Sequence, residues 1–334
     1  MIIDSHGHIS APAEVYAYQA QLLASRGNPD SGAPRISAEQ HEKSLQRHLT
    51  GMDDAGTDVQ LISPRPFHMM HSVPPARIVT SWTRFVNDMI AKQVSLHPDR
   101  FVGVAGLPQF RDQPVGGCLA ELERCVSELG FVGALVNPDP MEGQGPVPGL
   151  GDPFWYPLYE KFCELDVTMH IHSAGCASER ESYTLHFINE ESIAVVELLD
   201  SGVLDRFPGL RVLVSHGGGA IPYHAGRFRA WRIRKGLPPF EDMLRRLWYD
   251  TCIYSPEAVE LLAKVVGPER MVLGTEFPGT GSAVDPQTGR LLDNMRAVIE
   301  ECEVIDAGQR ELVLEKNAME LFRLEPVLKK ARQG

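Results

Sequence analysis

Eight short, nearly continuously apolar runs recur from one end of the chain to the other, separated by stretches of helical periodicity. They are Ile2 to Ser5, Val59 to Ser63, Phe101 to Leu107, Phe131 to Asn137, Val167 to His172, Leu210 to Ser215, Leu247 to Asp250 and Arg270 to Gly274. A strand with apolar residues on both sides is one covered on both faces, the condition of parallel strands under helices. Eight such units predict an α/β fold of the (β/α)8 barrel type. A doubly wound open sheet would carry a Gly-rich phosphate loop after its first strand; that position holds Ser5-His6-Gly7-His8 instead. The whole of 1–334 is expected to form a single metal-dependent barrel domain. The Pro/Gly-rich stretches Asn28 to Pro34 and Asn137 to Asp152 are too short to link domains and are expected to be long loops over the C-terminal mouth.

Charge and composition narrow the partners. Lys+Arg of 32 against Asp+Glu of 44 gives a net charge of -12, the wrong sign for neutralising nucleic acid or an anionic membrane surface. No apolar run is long enough to span a bilayer and Met1 leads straight into Ile2-Ile3-Asp4 rather than a signal region, so a cytoplasmic protein is expected. The six cysteines include no C-x-x-C pair, which disfavours a disulfide framework or a thiolate zinc site. A metal would have to be held by histidines and carboxylates.

In a barrel the C-terminal ends of the strands point side chains into the site. The first run leads into His6-Gly7-His8, the fifth ends in His170-Ile171-His172, the sixth leads into His216-Gly217-Gly218-Gly219, the seventh ends in Asp250 and the eighth precedes Glu276. His6 and His8, two apart on extended chain, face one side and can share an ion. Such a pair alone is common among solvated histidines; its recurrence with His172 and Glu276 is what singles it out. His172 lies nearer the following loop than His170 and is the expected ligand, leaving His170 a packed role. Three imidazoles and the Glu276 carboxylate would hold one ion and leave a position for water. The glycines after His216 are expected to leave room for its ring to touch substrate, and imidazole suits proton transfer near neutral pH. Arg65, mounted between Pro64 and Pro66, suits a two-pronged contact with a carboxylate. His71, His186 and Asn189 fall on segments expected to cover the site.

Taken together, His6-Gly7-His8, His172, Ser215 to His224 and Gly274 to Gly279 resemble the amidohydrolase superfamily, in the branch containing aminocarboxymuconate-semialdehyde decarboxylase. The resemblance spans essentially the whole chain. Asn137 to Pro140, Trp155 to Glu160, Gly226 to Phe228 and Asp285 to Gly289 are similar to the 4-oxalomesaconate hydratases. Gln60 to Phe67 and Leu185 to Glu191 are similar to zinc-dependent hydrolases of meta-cleavage products from lignin-derived biphenyls, which carry Cys where Phe277 stands. The resemblance implies metal ligation by His6, His8, His172 and Glu276, with one Zn2+ per subunit or alternatively Mn2+. Catalytic parts are further expected for His216, Arg65 and His186, and substrate contacts from Arg65, His71, Asn137, Asn189 and Arg227, with a small anionic aromatic-derived substrate and a homo-oligomer. The expected activity is hydrolysis of a carbon-carbon bond in an extradiol ring-cleavage product. The alternatives are a hydratase of the 4-oxalomesaconate type and a nonoxidative decarboxylase, which the ligand set cannot separate.

Overall fold

The computed structural model describes residues 1–111 and 113–331. Its strands are β1 (Ile3–His8), β2 (Val59–Ser63), β3 (Phe101–Gly103), β4 (Gly133–Val136), β5 (Thr168–Ile171), β6 (Val212–Val214), β7 (Trp248–Asp250) and β8 (Met271–Val272), with helices between them. Consecutive strands pair in parallel within two groups, β1-β2-β3 and β4 through β8. Backbone bonds across two seams close these groups into a ring. At one seam Ala105 N donates to Gly133 O (2.9 Å) and Leu135 N to Ala105 O (2.8 Å); at the other Ser5 N donates to Leu273 O (2.7 Å) and Glu276 N to His6 O (2.6 Å). The fold is the expected (β/α)8 barrel.

Strand limits differ from the apolar runs in an informative way. β3 stops at Gly103 and β8 at Val272, although Val104 and Leu273 remain buried. Tilt and stagger end the ladder before the apolar sequence ends. β1 does the reverse, carrying His6 and His8 inside the strand, with one extra residue opposite β2 between Asp4 and Gly7. A bulge of this kind re-aims side chains, and it lies at the first pair of histidines.

The N-terminal end of the barrel is closed by apolar packing. Ile3, Leu61, Val102 and Val272 meet Leu321, Phe322 and Leu328 from the C-terminal part of the chain, and Thr168 Oγ1 donates to Leu321 O at 2.6 Å. The loops that follow the strands lie at the other end. There the Glu142 carboxylate, 5% exposed, accepts from His71 N (3.2 Å), Ser72 N (3.3 Å), Gly175 N (3.3 Å) and the Ser72 hydroxyl. One carboxylate thus ties the loops after β2, β4 and β5 together. The Asn28 to Pro34 stretch joins two helices, Ala13–Ala24 and Ala38–Ala55, inserted between β1 and β2. The second of these begins at a reciprocal Ser37–Gln40 cap and ends at Gly56, whose φ of 64° favours glycine. Among the described residues no helix is long and apolar enough to cross a membrane.

The ring leaves little room between β4 and β5. A Cβ added at Gly133 would lie 2.5 Å from the Thr168 carbonyl oxygen, a backbone atom that cannot swing aside. Gly133→Ala is expected to cost roughly 1–3 kcal/mol, seen as a lower urea midpoint at unchanged slope. A wild-type midpoint would show that the two strands separate without penalty.

Candidate active site

β1 delivers His6 and His8, the residue after β5 is His172, and the turn after β8 presents Glu276. Their ligand atoms lie within 4.8 Å of one another, and all four residues are buried. His8 Nε2 is 3.8 Å and His172 Nε2 4.0 Å from Glu276 Oε1. Each imidazole is held from behind through Nδ1: His6 by Asp250 Oδ2 (2.7 Å), His8 by Ser63 Oγ (2.9 Å), His172 by the Ser173 carbonyl (2.6 Å). The Nε2 atoms of all three are buried and lack a hydrogen-bond partner. Rings oriented at one nitrogen and unsatisfied at the other, around an anionic oxygen, fit a divalent cation. Tyr254 Oη donates to Glu276 Oε2 at 2.6 Å, which leaves Oε1 for the ion.

Electrostatics favour the protonation states that ligation needs. Burial pushes His8 down to about 4, and burial followed by the neighbouring His6 holds His172 well below the usual range. For Glu276 burial opposes ionisation, but the neighbouring His216 and His8 imidazoles outweigh it and keep the carboxyl far below the ordinary value. His170 sits behind His6 with ring centroids 5.0 Å apart, its Nε2 bonded to Ser215 Oγ at 2.9 Å. Asp250 is occupied in orienting His6 and also accepts from Gly217 N and Cys252 N.

His216 stands beside this centre. Its Nε2 is 3.6 Å from Glu276 Oε1 and its Nδ1 contacts both oxygens of Glu191 at 2.9 and 2.8 Å. Burial disfavours the imidazolium, yet the Glu191 carboxylate, itself fully buried, more than compensates and holds the His216 pKa well above the ordinary value. The glycines that follow do not leave open space. A Cβ on Gly218 would meet the Tyr249 ring at 2.7 Å, and one on Gly219 the Ile188 carbonyl at 2.5 Å. They let the helix Tyr183–Asp200, which carries Glu191, approach the turn.

A cleft of about 710 Å3 opens onto the centre, lined among others by His8, Arg47, His48, Arg65, Tyr183 and Glu276. Arg65 Nη1 donates to Pro278 O at 3.0 Å while its buried Nε has no partner. The other residues singled out from sequence lie elsewhere. His71 and Asn137 are buried against each other (Nδ1 to Nδ2, 3.0 Å). His186 faces Asp139 and Glu181, Asn189 donates to Glu181 Oε2 at 2.8 Å, and Arg227 is exposed on the helix Ile221–Lys235. None of these five lines the cleft. Sequence reasoning gave no part to Glu191, Tyr254 or Arg47. Glu191 left a trace, because it falls in the apolar stripe of its helix with Phe187, Ala194, Val195 and Leu198.

A family model described as Amidohydrolase matches residues 3–324. The 2-keto-4-carboxy-3-hexenedioate hydratase of a Sphingobium species is 35% identical over 336 residues, covering 98% of each chain. The crystal structure of 4-oxalomesaconate hydratase from Rhodopseudomonas palustris covers 100% of this chain and 98% of its own, with a TM-score of 0.88 at 31% identity. A dihydroxybenzoic acid decarboxylase from a Polaromonas species, solved with bound manganese and 2-nitroresorcinol, shares the fold at a TM-score of 0.73, 22% identity and 97% coverage of both chains. The Sphingobium and Rhodopseudomonas proteins are both hydratases, so the likeness supports the hydratase alternative to carbon-carbon hydrolysis rather than hydrolysis itself. A match over nearly the entire length, on a barrel whose strand ends bring a His/Glu metal-binding set together, means that the chain belongs to the amidohydrolase family.

Proposed function

We propose that the protein is a metal-dependent hydratase, adding water across a carbon-carbon double bond conjugated to a carbonyl in an unsaturated oxo-di- or tricarboxylate of the 4-oxalomesaconate type. The end-to-end likeness to a hydratase at 35% identity carries this reading. The cleft agrees with it, since two arginines face the space beside the His/Glu centre. Zn2+ is the proposed ion, with Mn2+ also suited to imidazole and carboxylate ligands.

His6, His8, His172 and Glu276 would hold a divalent ion, which would supply Lewis acidity for acidifying water and polarising a carbonyl. The chain does the rest. Arg65, steadied by the Pro278 carbonyl, turns its remaining donors to one substrate carboxylate. Arg47, from the helix Ala38–Ala55, holds a second. Phe67 and Tyr183, 6.0 Å apart edge to face, wall the cleft. His216 Nε2 carries the proton that goes to one alkene carbon as the hydroxyl adds to its neighbour, and Glu191 fixes the ring and stabilises its charged form. No fragment departs, so one substrate and one water give one product.

Mass analysis separates the three chemistries. Incubation of the metal-loaded protein with 2-keto-4-carboxy-3-hexenedioate or its oxalomesaconate tautomer is expected to give a single product heavier by one water, with loss of the conjugated absorbance. Two carbon fragments would establish a hydrolase instead, and released CO2 a decarboxylase. The roles at the centre are separable too. Glu276→Gln is expected to lose the ion bound there together with turnover. His216→Asn should keep that ion and lose roughly 10²- to 10⁴-fold in kcat. Loss of the ion from the His216 variant would make that residue a ligand and remove its proton-carrying role.

A further inference from the structure

A second group of ligand-type side chains meets outside the cleft and shares no residue with the first. His186 and Glu190 lie one turn apart on the helix Tyr183–Asp200 and face Asp139, from the loop after β4. Their ligand atoms fall within 4.8 Å of one another, the same limit that holds for His6, His8, His172 and Glu276. His186 is 1% exposed, and neither ring nitrogen has a hydrogen-bond partner. Its Nε2 is 3.6 Å from Asp139 Oδ2, and its Nδ1 is 3.5 Å from Glu181 Oε1. The first distance is too long for a good hydrogen bond. It is close to the roughly 3.4 Å that separates two ligands bonded at about 2.1 Å to one tetrahedral ion.

The surroundings are already arranged. Asp139 Oδ1 accepts from Met141 N at 2.9 Å and Oδ2 from Gly143 N at 2.6 Å, so the carboxylate is fixed by its own loop. Asn189 holds Glu181 behind the imidazole at 2.8 Å, the place where a carboxylate commonly receives the second N–H of a ligating histidine. Three carboxylates surround one imidazole. Burial, then repulsion from Asp139 and Glu181, pushes Glu190 up to about 7, and burial also raises Asp139. A cation would relieve both.

We propose that Asp139, His186 and Glu190 form a second divalent-cation site, with Glu181 accepting from His186 Nδ1. One imidazole and two carboxylates suit Zn2+ or Mn2+ better than Ca2+ or Mg2+, which prefer all-oxygen shells. The ion would clip the loop after β4 to the helix that carries Glu191, the residue next to Glu190, and so help to place the Glu191–His216 pair. The site stands whether or not the protein is a hydratase, because metal binding is read without substrate.

Equilibrium dialysis of chelator-stripped protein against Zn2+, and separately Mn2+, followed by elemental mass spectrometry, tests it. Wild type is expected to take up about two ions per chain, and Asp139→Asn, His186→Gln and Glu276→Gln about one each. Circular dichroism establishes that each variant is folded. Wild-type crystals soaked in Mn2+ provide a readout that needs no variant, with an anomalous peak expected between His186 Nε2 and Asp139 Oδ2. Saturation of the wild type at one ion with Asp139→Asn unchanged, or anomalous density at the His6 centre alone, would overturn the proposal.

Discussion

Three buried imidazole nitrogens without a protein partner, all turned toward one carboxylate, set the terms for the rest of the molecule. An unsatisfied buried polar atom costs roughly 1–3 kcal/mol, so three together cost a sizeable part of the roughly 5–15 kcal/mol by which a protein is stable. A cation converts that cost into binding. Rigidity must come from behind the rings, and it does, through Asp250, Ser63 and the Ser173 carbonyl. The apolar floor formed with Leu321, Phe322 and Leu328 keeps the opposite end of the barrel packed. Glu142 ties the overlying loops to one another, so the site sits between a fixed base and a fixed rim.

Backbone strain is concentrated at the same end. His216, Glu276 and Tyr254 have φ of 50°, 59° and 52°, each costing about 1–3 kcal/mol for a residue with a side chain. Something must hold them there. For Glu276 it is the bond from its amide to the His6 carbonyl, which is also one of the bonds closing β8 onto β1. For His216 it is Glu191 in front and the closely packed glycine turn behind. Closing the barrel and aiming its ligands are one event, so a change that opens this seam should disturb the metal centre before it unfolds the protein.

The barrel was legible because strands covered on both faces leave uninterrupted apolar runs, and eight of them can be counted. Their ends were not, since Val104 and Leu273 remain buried after the ladder has stopped. The β1 bulge depends on the pairing with β2 and leaves no mark in the sequence. His6, His8, His172 and Glu276 stood out as polar residues ending apolar segments. Glu191 did not, because a carboxylate within a helix looks like solvated surface until the stripe around it is noticed. Arg227 showed the opposite hazard: a basic residue in a recognisable motif, turned to solvent by the register of its helix. His186 and Asn189 were read as cover for the cleft from their position after β5, but the helix directs both toward Asp139 or Glu181.

Choice of reaction lies less in the ligands than in the cations beside them. The chain carries an excess of twelve negative charges, and many of its arginines are tied to carboxylates, as Arg100 is to Asp53, Arg124 to Asp88 and Arg246 to Asp205. Among the described residues Arg47 and Arg65 have no such partner, though both line the cleft. With screening over about 8 Å at physiological salt, the distant negative surface matters little to an anion already at the mouth, whereas two unpaired guanidinium groups near the His/Glu centre matter greatly. A monocarboxylate would satisfy one of them, and a di- or tricarboxylate both. On the proposed reading the cleft recognises several carboxylates at once, and a substrate that must retain all of them through the reaction is better matched to hydration than to decarboxylation, which would discard one of the charges that hold it in place.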